Sequence, residues 1–153
     1  RGDDRDATLS DRTGTLVVTV PGDWDRAVAP RGWKAPTSDG QFPALSVGTR
    51  TDWTDAASDV SSDAEGIFVA ILPGTELPEQ MPQHPECEAA QEPIDATIDG
   101  DPSRTVVYTG CPGGVTVERV VQLAANRLLW VQIRSADRAT ANRVLDDVDT
   151  RGI

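Results

Sequence analysis

Ser103–Gly110 (SRTVVYTG), Gly114–Leu123 (GVTVERVVQL) and Asn126–Ser135 (NRLLWVQIRS) are the stretch on which the fold turns. Each segment is rich in β-branched and aromatic residues, with the period-two pattern of a strand. Cys111-Pro112-Gly113-Gly114 and Ala125-Asn126 join them. Connections so short, and so rich in Gly and Asn, leave little choice but an antiparallel meander. The next segment, SADRATANRVLDDVDTRG, supplies a cover for one face. Ser135 or Asp137 can cap a helix, and Thr140, Ala141, Val144, Leu145 and Val148 fall on one apolar stripe. Gly152 is expected to stop it.

Upstream, TLVVTVPGDW alternates Leu16, Val18 and Val20 against Val17 and Thr19 and closes at Pro21-Gly22, which predicts a strand. PALSVGTR gives another. GIFVAILPG is apolar at every position from Ile67 to Leu72, as in a strand covered on both faces and hence central. A short helix is expected after Thr51 or Asp52, with Trp53, Ala56, Ala57 and Val60 at helical spacing, and a second around Glu86–Gln91. A weak strand near Asp95–Ile98 leads to the turn Asp99-Gly100-Asp101-Pro102. Residues 23–42 and 75–93 read as long loops rich in Pro, Gly and Glu. The expected fold class is α+β: an antiparallel sheet with a C-terminal strand meander, packed by a C-terminal amphipathic helix and one or two short helices. Residues 1–13 read as a polar linker, and 14–153 as a single domain.

With 153 residues the chain is long enough for one domain with its own core. The net charge of −11 is dispersed, which argues against nucleic acid and against direct contact with anionic lipid. No apolar run reaches the length of a membrane span. Lys34 is the sole lysine, the other basic residues being arginine, a skew typical of GC-rich bacterial genomes. The tripeptide Arg1-Gly2-Asp3 matches an integrin-binding motif that chance readily produces in such a composition.

QHPECEAAQ (Gln83–Gln91) contains the only histidine, His84, and the first of two cysteines, Cys87; the second is Cys111. His84-Pro85-Glu86 matches half of the zinc deaminase signature, but the Pro-Cys-x-x-Cys half is missing. A zinc held by His84, Cys87 and Cys111, with Glu86 or Glu88 as fourth ligand, is the alternative to a Cys87–Cys111 disulfide. An even count of two, with no CxxC, favours the disulfide and an oxidising, extracytoplasmic compartment. Closing a loop of this length stabilises a fold by roughly 3–4 kcal/mol. No metal, no cofactor and no catalytic residue is assigned. There is no G-x-S-x-G elbow, no phosphate loop and no EF-hand, and a triad would have to use His84. Carboxylate pairs such as Asp52/Asp55, Glu86/Glu88 and Asp146/Asp147 read as solvated faces or caps. Trp24, Trp33 and Trp53, with His84, are the candidate partner-binding residues, set against the reading that the indoles plug the core.

The opening LVVTVPGDW and the closing LWVQIRSADRATANRVLDDV, a strand feeding directly into a last helix, resemble the PsbP-like sandwich fold. The two cysteines and the Asp/Arg-rich joints look like the outer domains of actinobacterial receptor-type serine/threonine kinases and lipoproteins. The resemblance implies a non-catalytic extracytoplasmic sensor or interaction domain of a membrane-anchored protein, or a secreted or lipid-anchored binding protein of the same fold. Its partner would be a protein, a peptide or a small molecule. A small hydrolase or metal enzyme using His84 is the contrasting expectation.

Overall fold

The computed structural model describes residues 6–28, 33–34, 41–50, 53, 64–112, 114–123 and 126–150. The meander is present as read. Strands β10 (Asp101–Cys111), β11 (Gly114–Leu123) and β12 (Arg127–Ser135) pair antiparallel, with Val117 opposite Val107 and Ile133 opposite Val117. The all-apolar run forms β7 (Gly66–Pro73), which lies between β12 and β6 (Ala44–Gly48), so it is central as its composition predicts. Strand β3 (Arg26–Val28) closes one edge. At the other edge, β8 (Ala89–Ala90) and β9 (Ile94–Ile98) both pair with β10, completing an eight-stranded sheet. The β9–β10 turn places both Asp99 (φ 50°) and Gly100 (φ 88°) at positive φ. That is the mirror-image geometry a tight hairpin needs, and Asp-Gly supplies it at low cost.

A small sheet covers one face. Strand β1 (Asp6–Ser10) pairs with β2 (Leu16–Pro21), and β13 (Asp149–Thr150) adds to the other side of β2. Helix α1 (Arg138–Asp146) packs beside it and buries Ala141, Val144 and Leu145; β4 (Trp33–Lys34) and β5 (Gln41–Phe42) form a separate pair. Leu16, Val18 and Val20 meet Leu45, Val47, Ile67, Val69, Val131 and Ile133 in the main core. Asp137 caps α1, its carboxylate accepting from the backbone N–H of Ala139 and Thr140, each at 3.3 Å. Glu65 holds the strand-to-helix corner, accepting from Ser135 Oγ at 2.8 Å and the Ala136 N–H at 2.7 Å.

Four expectations change. The fold is mostly β, two larger antiparallel sheets and the β4–β5 pair with a single helix wholly within the described residues, and not an α+β domain packed by several helices. Glu86–Gln91 is not helical. Backbone N–H groups of Glu88 and Gln91 instead donate to the Thr109 and Val107 carbonyls, because the edge of β10 offers acceptors there. The segment expected as linker contributes β1, whose Ala7 and Leu9 pack on the main core. Helix α1 ends at Asp146, short of Gly152, since Asp149–Thr150 pairs with Val17 and Leu16. The helix expected after Asp52 falls outside the described residues except at Trp53.

Candidate functional site

The second face of the large sheet is covered by residues 74–91, irregular apart from the edge strand β8 and here called the flap. Two-residue alternation makes this face from Ser46, Phe68, Ala70, Leu72, Val106, Tyr108, Glu118, Val120, Leu128, Trp130, Gln132 and Arg134. Met81 inserts among Val106, Tyr108, Val120 and Leu128, with Leu77 and Cys87 alongside.

Strand β10 fastens the flap along its length. Arg104 donates to the Pro78 carbonyl while its Nε and Nη2 hold the Asp95 carboxylate at 2.8 and 3.1 Å. That ion pair lowers the pKa of Asp95. Tyr108 donates its hydroxyl to the Pro82 carbonyl. Cys87 and Cys111 are joined in a disulfide, the bond expected from their count. Prolines 78, 82 and 85 suit such a segment, because they have no N–H to satisfy and restrict the unfolded chain.

Beneath the flap lies a polar network. The Glu118 side chain is 0% exposed. Its Oε1 accepts from Trp130 Nε1 at 2.6 Å, and its Oε2 accepts from Gln132 Nε2 at 2.7 Å and His84 Nε2 at 2.6 Å. The other imidazole nitrogen, Nδ1, meets Glu86 Oε2 at 2.9 Å. A carboxylate at each nitrogen favours the ring with both nitrogens protonated, the imidazolium. Burial pushes the His84 pKa down, but hydrogen bonds and attraction to Glu118 and Glu86 outweigh it and leave the pKa above 6.5. The Tyr108 ring stands edge-on to the imidazole at 4.8 Å. Burial, then the charges of Glu118 and Glu86, raise the tyrosine pKa. Burial lowers that of Arg134, opposed by Glu86 and Glu65.

Beside the network is a groove of about 480 Å³. Leu72, Val120, Leu128 and Trp130 form its floor, Pro73 at the end of β7 one side, and Pro78 and Pro82 of the covering chain its roof. Glu76 and Gln80 stand at the rim, both exposed. Its size falls in the roughly 300–1,000 Å³ range of small-molecule sites, and its apolar lining matches them too.

Trp24 and Trp53 are each 1% exposed and serve the interior. Trp53 lies over the paired Gly48 and Gly66, where an added Cβ would stand 2.7 and 2.6 Å from its ring, and donates Nε1 to Ser46 Oγ at 2.9 Å. Trp33 sits in β4, with its side chain outside the described residues. His84 is 12% exposed and committed to two carboxylates. The zinc alternative gives way because both sulfurs are bonded to each other. Among the described residues no His/Cys/Asp/Glu group is arranged to hold a metal ion, and no helix is long and apolar enough to cross a membrane.

Glu118 and Gln132 escaped the sequence reading. The available signal was an acid in the middle of the central meander strand, opposite a glutamine and diagonal to a tryptophan, on a face that must be covered. No family model matches this sequence, and no curated protein matches it.

Proposed function

We propose that the chain is a non-catalytic extracytoplasmic binding domain that captures a small apolar ligand, or the apolar end of a larger one, in the groove over Trp130. The groove under the flap carries this reading: an apolar cleft of ligand size roofed by chain that is fastened but has no regular structure. The disulfide supports an oxidising compartment. The PsbP-like resemblance adds the expectation of a larger membrane-anchored bacterial protein, such as a receptor-type serine/threonine kinase. A secreted or lipid-anchored protein would use the same site.

The contrasting hydrolase would need His84 to accept a proton. Both its nitrogens already meet carboxylates, and Glu118 is surrounded by His84, Trp130 and Gln132, so neither group is aimed at a substrate. It acts as a clasp between flap and sheet.

The test is titration with the uncharged fluorophore N-phenyl-1-naphthylamine. Saturable one-site binding is expected, and Leu72→Trp, which adds bulk at the groove floor, should abolish it. Binding that is unsaturable, or unchanged in that variant, would refute the groove as the site.

A further inference from the structure

We propose that the groove selects a cation: a ligand with an apolar body and an ammonium-type group. The inference rests on the groove being the binding site and adds the class of ligand.

The charge around the cavity carries it. Among the described residues Glu76 is the only ionisable residue of the lining, and it is an acid at the open rim. Beside the groove, the Trp130 indole of the floor is hydrogen-bonded to the Glu118 carboxylate. Two carboxylates, Glu118 and Glu86, face the single imidazole of His84, an excess of one acidic group in that cluster. The arginines of this face do not balance it inside the groove. Arg104 is held by Asp95 and the Pro78 carbonyl, and Arg134, 1% exposed, lies within the fields of Glu65 and Glu86. Neither lines the cavity, and among the described residues no basic side chain does. Arg127, at the start of β12, is turned to the other side, with its guanidinium over the Phe42 ring at 5.7 Å.

The rest of the lining suits the same ligand. An indole is the strongest aromatic partner for a cation, and Trp130 is the one aromatic residue of the cavity among the described residues. Leu72, Val120, Leu128 and the three prolines accept hydrocarbon. A fatty acid or alkyl sulfate would place its anionic head against Glu76, on a chain whose net charge is −11. Both acidic sources have the sign that attracts an entering cation.

Three probes of equal chain length separate the possibilities: hexyltrimethylammonium, 1-hexanol and hexyl sulfate. Each is titrated into ¹⁵N-labelled protein while the Trp130 indole N–H resonance, assigned with Trp130→Phe, is followed. The expected order is cation, alcohol, sulfate, with the cation bound about three- to tenfold tighter than the alcohol. Glu76→Gln, at an exposed position that leaves the fold intact, should reduce that preference about twofold, and salt should reduce it further. Sulfate binding as well as or better than the cation would overturn the charge selection and leave the groove standing. A preference unchanged in Glu76→Gln would do the same. If none of the three probes moves the Trp130 resonance, the groove itself is not the site and both readings fall.

Discussion

Replacing His84 by alanine removes the one basic side chain that, among the described residues, is hydrogen-bonded to Glu118. The carboxylate stays fully buried and keeps two neutral donors, Trp130 Nε1 and Gln132 Nε2. Removing one partner of a buried ion pair typically costs about 3–5 kcal/mol. Two surviving hydrogen bonds and the slight exposure of the imidazole place this case lower, at about 2–4 kcal/mol. Urea denaturation at pH 6, followed by tryptophan fluorescence, measures it. In the His84→Ala background Glu118→Gln removes the stranded charge, so the second change should cost at least ~1 kcal/mol less than it does alone. The pH dependence has a definite sign. The folded-state pKa of His84 lies above 6.5, so its stabilisation is full below that value and declines as pH rises through the folded pKa. This decline should be missing in His84→Ala. A loss under about 1 kcal/mol, or single effects that add, would refute the argument for a buried ionic clasp.

Other consequences can be measured separately. Replacing Cys87 and Cys111 by serine should cost roughly 3–4 kcal/mol by the loop-entropy argument, and amide exchange should speed up in residues 74–91 more than in β12. Gly66→Ala puts a methyl group 2.6 Å from the Trp53 ring. Denaturant titration should show a loss of about 1–3 kcal/mol, the usual result of overpacking. Asp137→Ala deletes the cap of α1 and should lower stability by about 1 kcal/mol, seen as a fall of a few degrees in Tm; no change in Tm would mean the cap is not needed.

Local pattern carried the reading of the fold as far as local physics reaches. Alternation and short Gly/Asn turns disclose β10, β11 and β12, an unbroken apolar run discloses the central β7, and the stripe Ala141, Val144, Leu145 discloses α1. The cysteine count discloses the disulfide. What escapes is long-range. Asp6–Ser10 is polar on alternate positions and becomes a strand only because β2 offers it an edge, while Asp149–Thr150 leaves helical register for the other side of β2. Glu86–Gln91 has helix-forming residues, but the edge carbonyls of β10 and the bond to Cys111 hold it extended or turned. The site is harder still. His84 and Glu118 are 34 positions apart, and nothing in either segment says that one will lie on the other. Only the flap's path across the sheet turns an isolated histidine into a clasp and leaves a cleft beside it.

A crystal soaked with hexyltrimethylammonium tests the central claim most directly, that ligand enters between flap and sheet. The account predicts ordered density between Pro78 and Pro82 above and Trp130 and Leu128 below, with the ammonium toward Glu76. Density confined to other surfaces, with this cleft empty at saturating ligand, would contradict it.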